Sequence, residues 1–246
     1  MIIKKFSRLY FDIFGKPTGR IIPFSENENV KYPTVTKIIS DTMSEESLRI
    51  LKVWENKKIA ILGLEGFNKY IQDIKEIGKD FHELMTELLQ TGKLNVKSDR
   101  SCFKYIASVK PIISMISEPV LLEENCSHPK LFYRGRFDGI VKLKNSNSLI
   151  LLEWKTVHEN KKISSLSRTY DSPLQMAAYI GAINASKEDS DDNGKIKSAL
   201  LVYAYRNGHP ADYFLLNSDQ LAHYWDLWLV KLSQFHTQKM QDSENK

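Results

Sequence analysis

The sequence contains little cysteine. Cys102 and Cys126 are the two cysteines among 246 residues. Two cysteines cannot form a disulfide framework, a four-cysteine iron–sulfur cluster or a zinc site of the usual Cys/His spacing. The chain also lacks a glycine-rich phosphate loop and an evident arrangement of nucleophile, histidine and acid. We therefore expect no Fe–S cluster, no zinc and no bound nucleotide.

Long hydrophobic runs are also missing, and the positive charge is unevenly placed. No apolar stretch approaches the roughly 20 residues that span a bilayer, so we expect no membrane partner. The net charge is +5, but residues 1–24 carry five basic side chains and one acidic side chain, which leaves only +1 for the rest. The basic, amphipathic amino terminus fits a mitochondrial presequence and equally a basic arm on the folded protein.

Length and composition predict one compact domain of α/β class. With 42% hydrophobic residues, the chain can bury a substantial core. We expect a basic amino-terminal segment at 1–30, a single domain at 31–240 and a frayed tail at 241–246. The pattern Thr42-x-x-Glu45 predicts a capping box at the start of a helix. Apolar periodicity predicts a second helix over 66–90, ended by Gly92, and a last helix with an aromatic-rich core stripe. Strands are predicted at 119–124, 132–143, 148–156, 199–205 and 213–216.

The residues that point to chemistry lie on the central hairpin. In an antiparallel pair, facing residues have a constant index sum, and Asp138 with Glu153 gives 291, which centres the turn at Asn145-Ser146. Lys155 follows Glu153 by two residues and so points to the same face. A Glu–Lys pair on a solvated strand would show the same pattern. However, the run Leu149-Ile-Leu-Leu predicts a strand buried on both faces, where a charge needs a partner or a function.

Two carboxylates and an ammonium on one patch suit phosphodiester hydrolysis. Mg²⁺ takes about six oxygen ligands and usually keeps several waters, so one or two carboxylates suffice to hold it. The bound metal lowers the pKa of its water, and a nearby lysine can orient that water or stabilise developing charge. The pattern therefore indicates a metal-dependent nuclease.

Four motifs follow one another in a fixed order along the chain, and two of them lie on this hairpin. They are Gly78-x-x-x-His82, Gly135-x-x-Asp138, Glu153-x-Lys155 and Gln175-x-x-x-Tyr179. With them, most of the chain resembles the PD-(D/E)xK nucleases of the RecB-like exonuclease branch, and within it the members that maintain mitochondrial DNA. The resemblance implies a central mixed β-sheet flanked by helices. It also implies a Mg²⁺- or Mn²⁺-dependent exonuclease acting on single-stranded DNA or flaps, with a mitochondrial location, contacts to the replication machinery and a monomeric state.

The resemblance also implies roles for individual residues. His82, Asp138, Glu153 and the Trp154 backbone carbonyl would ligate metal, and Glu123 matches a further acid of the family. Asp138, Glu153 and Lys155 would be catalytic. Gln175 and Tyr179 would hold the DNA backbone. Imidazole is an unusual Mg²⁺ ligand, so His82 would favour Mn²⁺ or act through water.

The basic, hydroxyl-rich segment 161–168 suits phosphate contacts through Lys162 and Arg168, although a solvated loop would have the same composition. Phe81, Tyr133 and Tyr170 could stack bases or pack in the core.

Without the resemblance, purely structural roles for the remaining motif residues stay open. His82 fits a structural histidine beside an apolar stripe, and Gln175 with Tyr179 fits the polar edge of an alanine-rich packing helix. Two rival functions also remain: an endonuclease of the same fold acting on duplex DNA, and a DNA-binding module with an inactive metal site.

Overall fold

The computed structural model describes residues 32–94, 102–144, 146–158, 161–186 and 194–244. Five helices and five strands lie within these ranges, in the following chain order: α1 (Val35–Asp41), α2 (Glu45–Thr91), α3 (Phe103–Ile113), β1 (Ile116–His128), β2 (Tyr133–Leu143), β3 (Ile150–Val157), α4 (Ser172–Ala185), β4 (Ser198–Tyr205), β5 (Asp212–Leu216) and α5 (Ser218–Glu244). A single 3₁₀ turn, Leu166–Arg168, precedes α4.

The strands form one mixed sheet in the order β1-β2-β3-β4-β5. The pairs β1–β2, β2–β3 and β4–β5 are antiparallel, whereas β3 and β4 are parallel. A parallel pair needs a crossover connection, and α4 lies in the segment that links β3 to β4. The predicted class, α/β with a central mixed sheet flanked by helices, is confirmed.

Helices cover both faces of the sheet, which explains why the central strands are apolar along their length. One hydrophobic cluster joins α1, α4 and α5 to sheet residues such as Leu151 and Leu201. The other joins the end of α2 and the whole of α3 to sheet residues such as Leu152 and Val202. Because Leu151 and Leu152 belong to different clusters, β3 is buried on both faces, as its apolar run predicts.

The helix α2 is two helical segments that meet at Gly63. This glycine has φ 72° and ψ 168°, values outside the helical region, so the chain bends there. At the far end Gly92 adopts the left-handed conformation with φ 68°, and its N–H bonds to the Leu88 carbonyl 2.9 Å away. The predicted end of this helix at Gly92 is confirmed.

The predicted capping box at Thr42-x-x-Glu45 is wrong. Thr42 is the C-cap of α1, and its hydroxyl donates to the Ile38 carbonyl at 2.7 Å, so the side chain completes the preceding helix. Ser44 is the N-cap of α2, where its side chain accepts from the backbone N–H of Ser47 at 3.2 Å. Two residues able to cap lie two positions apart here, and the hydroxyl of the first one bonds within α1.

The proposed domain limits of 31–240 stay a prediction. The amino-terminal segment 1–30 lies outside the described residues, as do 245 and 246, while α5 continues to Glu244. Among the described helices, none has the length and apolarity that a membrane span requires.

Candidate active site

The centre of the site is a charge pair on β3 where the strand is still buried. Glu153 is 2% exposed, and its Oε1 accepts a hydrogen bond from Lys155 Nζ at 2.8 Å. The two side chains meet because residues two apart on a strand point to the same face. Lys155 also donates to Gln175 Oε1 on α4 at 3.0 Å. A buried carboxylate therefore has a fixed ammonium and an amide beside it.

Asp138 reaches this pair from the neighbouring strand. The β2–β3 ladder pairs Gly139 with Leu152, Ile140 with Leu151 and Val141 with Ile150. Each pair has the index sum 291, so the predicted register is confirmed. Beyond the last rung the two strands no longer pair, and Asp138 Oδ2 accepts the free Trp154 N–H at 2.6 Å. The carboxylate thus replaces a ladder hydrogen bond and is held beside Glu153.

His82 and Glu123 complete a cluster around Asp138, and these three residues are called the acidic cluster below. His82, on α2, places Nδ1 3.2 Å from Asp138 Oδ1 and 3.4 Å from Glu123 Oε1. One potential ligand atom from each of these three residues lies within 4.8 Å of the others. Gly78 lies one turn before His82, and the nearest atom to a Cβ at that position would be Thr156 Oγ1 on β3, 3.8 Å away. Because 3.8 Å is an ordinary van der Waals contact, the approach of α2 to the end of β3 does not require a glycine at this position.

Glu123 reaches the cluster through an unusual backbone conformation. It lies between Leu122 and Glu124, which pair with Gly139 and Phe137 on β2, yet its φ is +54°. For a residue other than glycine this left-handed conformation is strained by about 1–3 kcal/mol, and such residues concentrate at functional sites. This conformation brings the Glu123 carboxylate to both His82 and Arg136.

The pKa values show how strongly these groups depend on one another. Burial, followed by the negative charge of Asp138, raises the pKa of Glu153 to about 7, against the opposing effects of Lys155 and His82. Burial disfavours the protonated imidazole of His82. Hydrogen bonds to Asp138 and Glu123 and the nearby negative charges outweigh that effect and raise its pKa to about 10. Burial also disfavours the Lys155 ammonium, but the Glu153 and Asp138 charges raise its pKa overall.

Gln175 links α4 to the charged cluster. Its Nε2 donates to Glu153 Oε1 at 3.1 Å and to Tyr179 Oη at 2.7 Å, in addition to the Lys155 contact. Tyr179 is 3% exposed, and burial raises the pKa of its phenol. A Cβ at Gly135 would overlap the Tyr179 ring, so the first glycine of the Gly-x-x-Asp motif leaves room for this tyrosine. Contacts of Gln175 and Tyr179 with DNA stay predictions.

The other predicted DNA contacts lie away from this network. Lys162 and Arg168 are exposed on the segment before α4, and no described contact ties either of them to the acidic cluster. Phe81 and Tyr133 are fully buried and belong to the core, which rules them out as base-stacking residues. Tyr170 differs, because its side chain is 77% exposed and its backbone has φ 52°.

Tyr170 is held next to the site by its neighbours in the chain. The Tyr203 hydroxyl lies 3.2 Å from the Thr169 carbonyl oxygen and 3.1 Å from Ser172 Oγ, which fixes the segment on both sides of Tyr170. Tyr203 pairs with Lys155 across the parallel β3–β4 ladder. Lys161 donates to the Tyr170 hydroxyl at 2.7 Å and lies 5.0 Å from the centre of its ring.

The residues of the cluster fit a divalent cation. Carboxylate oxygens are the ligands that Mg²⁺ and Mn²⁺ prefer, and the imidazole of His82 is better suited to Mn²⁺ than to Mg²⁺. Glu153 Oε2 is buried and has no hydrogen-bond partner among the described residues. A buried carboxylate oxygen without a donor is unfavourable unless another charge satisfies it. Ligation by the Trp154 carbonyl stays a prediction.

Three features of the site were not found from the sequence. The strained backbone of Glu123 has no sequence signal. The interaction of Arg136 with Glu123 across β1 and β2 depends on that backbone. The Tyr203 hydroxyl is distant in sequence from the segment that it fixes. Gly135, by contrast, belongs to a motif visible in the sequence, and a Cβ there would overlap the Tyr179 ring.

Fold and cluster together define a class of protein. A mixed sheet flanked by helices, with Asp138 on one strand and Glu153-x-Lys155 on the next, is the arrangement of the PD-(D/E)xK nucleases that the sequence resembles. Within that class the chain is similar to mitochondrial genome maintenance exonuclease 1 from three animals, and the resemblance is confirmed.

The three relatives share about a third of their aligned residues with this chain. The human protein is 30% identical over 209 residues, which cover 84% of this chain and 59% of the relative. The Xenopus tropicalis protein is 32% identical over 212 residues (86% and 59%), and the mouse protein is 30% identical over 215 residues (87% and 61%). The chain thus spans about 60% of the length of these curated relatives. No family model matches it.

Among solved structures, similarity is weak. An alkaline exonuclease from Laribacter hongkongensis aligns with 87% of this chain and 95% of its own, at a TM-score of 0.30 and 10% identity. The complex of this exonuclease with dAMP aligns with 68% of this chain and 86% of its own, at a TM-score of 0.29 and 10% identity. At these values the likeness adds nothing on function.

Proposed function

We propose that this protein is a Mg²⁺- or Mn²⁺-dependent exonuclease that hydrolyses phosphodiester bonds of single-stranded DNA from free ends. The observation that supports it best is the cluster of Glu123, Asp138 and Glu153 on three adjacent strands, with Lys155 bonded to the buried member. A charge in a buried strand needs a partner or a function, and Glu153 Oε2 has no hydrogen-bond partner among the described residues.

The residues divide the chemistry between them. His82, Glu123 and Asp138 would hold the cation, with Glu153 Oε2 as a further ligand. When bound, the cation offsets charge on the phosphoryl oxygens and makes a water more acidic. Lys155 orients the attacking water and stabilises developing negative charge. Gln175 keeps the Lys155 ammonium and the Glu153 carboxylate in register, since it bonds to both.

The single strand would be held by groups on and before α4. Gln175 and Tyr179 lie beside the acidic cluster, and Lys162 and Arg168 offer exposed charges for phosphates. Tyr170 offers a rigidly held aromatic face, and stacking on such a face tolerates any base. These groups suit binding without sequence preference.

The names of the relatives support a role in mitochondrial DNA maintenance. We place the protein in the mitochondrion, acting as a monomer on single strands and flaps beside the replication machinery. Fusion of residues 1–30 to a fluorescent reporter tests the location. Import of the reporter is expected, and diffuse cytosolic signal would oppose it.

The activity is tested with end-labelled single strands, duplexes and flaps, each with Mg²⁺, Mn²⁺ or a chelator. We expect metal-dependent shortening of linear single strands and no cleavage of circular ones. Lys155→Ala and Asp138→Asn should each abolish cleavage and largely keep strand binding. Lys142→Ala is the matched control, because Lys142 lies on β2 with Asp138 but pairs with Glu118 at 2.8 Å, outside the cluster.

Other outcomes would identify the rival functions. Cleavage of circular single strands or of duplex DNA at internal sites would show an endonuclease of the same fold. Strand binding without cleavage under any metal would show an inactive binding module. Activity that persists in purified Lys155→Ala would contradict the site assignment.

A further inference from the structure

Arg136 is a cation of the site that none of the motifs includes. It lies on β2 two residues before Asp138, and its Nε donates to the Glu123 backbone carbonyl and lies 3.1 Å from Glu123 Oε2. Its side chain is 62% exposed. Within the described part of the chain, its two terminal amino groups have no hydrogen bond or ion pair, so they are available to a ligand.

Glu123 holds this guanidinium in place from one side only. One carboxylate oxygen of Glu123 contacts His82 and the other contacts Arg136. The backbone carbonyl of the same residue also accepts from Nε, so it shares the single Nε–H with the carboxylate. The left-handed conformation of Glu123 therefore sets the position of Arg136 as well as that of the acidic cluster. An arginine fixed through Nε keeps its outer edge, the part that pairs with two oxygens, facing away from its anchor.

A cavity of about 490 Å³ opens beside this arrangement. Its lining includes His82, Glu123 and Arg136, together with Glu83, Thr86, Glu87 and Gln90 of α2. Lys79 is the other lysine or arginine of the lining, and it lies 3.6 Å from Glu83 on the exposed surface of α2. Arg136 is consequently the one lining lysine or arginine, among the described residues, that is both anchored at the acidic cluster and open towards a ligand.

We propose that Arg136 binds a phosphate of the DNA strand next to the acidic cluster and so fixes the strand relative to the metal ligands. This inference rests on the proposed function and adds a positioning residue to it. Arginine suits the task because its planar group pairs with two phosphate oxygens at once, and Glu123 pre-orients it. The alternative is purely structural: Arg136 only neutralises Glu123, and the DNA never touches it.

The salt dependence of DNA binding separates these two possibilities. Each phosphate neutralised on a single strand contributes about 0.7 to the slope of log K against log salt. In the non-cleaving Lys155→Ala protein, Arg136→Ala should lower that slope by about 0.7 and weaken binding on the order of tenfold. Arg136→Lys should keep the slope and lose part of the affinity, because it retains charge without the fork.

The experiment measures anisotropy of a labelled single strand over a salt series, with Lys142→Ala as control. Lys142 carries the same charge on the same strand but pairs with Glu118 outside the cavity, so its slope should equal that of the parent. If Arg136→Ala unfolds, Arg136→Gln provides the same comparison. An unchanged slope with intact binding would overturn the role of Arg136 alone. A parent protein that binds no single strand would overturn the proposed function with it.

Discussion

The acidic cluster should respond to a divalent cation even without DNA. His82, Glu123 and Asp138 place their ligand atoms within 4.8 Å of one another, and Glu153 Oε2 is buried without a donor. A cation that binds this folded arrangement and not the unfolded chain must stabilise the protein. Mg²⁺ or Mn²⁺ should therefore raise the melting temperature, and a chelator should lower it.

The size of the effect follows from mass action. At a metal concentration of 100 times Kd, the gain is about 2.7 kcal/mol. For a protein of this length, each kcal/mol shifts the melting temperature by about 2–4 °C, so we expect about 5–10 °C. Asp138→Asn removes one negative ligand but keeps an oxygen that can accept the Trp154 N–H. If it weakens metal binding about 100-fold, the gain at the same concentration falls to about 0.4 kcal/mol, or about 1 °C.

Thermal unfolding followed by circular dichroism at constant ionic strength measures both shifts. Glu118→Gln is the control, because it removes a carboxylate of β1 that is outside the cluster and should leave the metal effect unchanged. The reasoning would be refuted by a wild-type protein that shows no shift at any metal concentration. It would equally be refuted by an Asp138→Asn protein that shifts as much as the wild type.

Three other perturbations test separate parts of the structure. Gln175→Ala should lower kcat about 10- to 100-fold with little change in KM, because it removes a partner of both Lys155 and Glu153. Tyr170→Ala should raise KM for single strands about tenfold while Tyr170→Phe does not, since stacking contributes about 1–3 kcal/mol per base. His128 is buried, and burial with the nearby Lys130 charge lowers its pKa to about 4. The unfolded chain binds a proton at this histidine below about pH 6.5, whereas the folded protein does so only near pH 4. The free energy of unfolding is therefore highest above pH 6.5 and falls by about 3 kcal/mol as the pH decreases towards 4.

Each of these perturbations has an outcome that would contradict it. For Gln175, a variant with normal kcat would show that Lys155 needs no help from α4. For Tyr170, an equal loss in Tyr213→Ala, an exposed tyrosine on β5, would show a nonspecific surface effect. For His128, urea unfolding from pH 7 to pH 4 should show a flatter profile in His128→Asn. In the native protein, the backbone N–H groups of Lys130 and Leu131 donate to His128 Nδ1. The asparagine side chain has an oxygen that can accept the same hydrogen bonds.

Local rules allowed much of the fold to be predicted. The hairpin register came from an index sum, because antiparallel pairing is regular over short distances. The end of α2 came from Gly92, because a left-handed residue there favours glycine. The start of α2 was missed because Thr42-x-x-Glu45 matches the capping box, whereas Ser44 is followed three residues later by Ser47. Only the position of α1, a contact beyond the motif, decides which of them caps α2.

The contacts around the acidic cluster were not accessible from local rules. His82 and Glu123 meet across 41 positions of sequence, and Gln175 meets Lys155 only because α4 crosses back over the sheet. Motif order indicated that these residues belong together. It carried no information about which atoms bond, since those distances depend on how two faces of helices pack on one sheet.

The two carboxylate oxygens of Glu153 differ in their hydrogen bonds. Oε1 receives hydrogen bonds from Lys155 and Gln175, whereas Oε2 receives none from the described residues. Two donors on one oxygen fix the position of the carboxylate. They do not fully offset burial and the Asp138 charge, which raise the pKa of Glu153 to about 7. A third donor at Oε2 would lower that pKa. Under the proposed function, Oε2 is left for the cation, whose positive charge would lower this pKa in place of a third hydrogen bond.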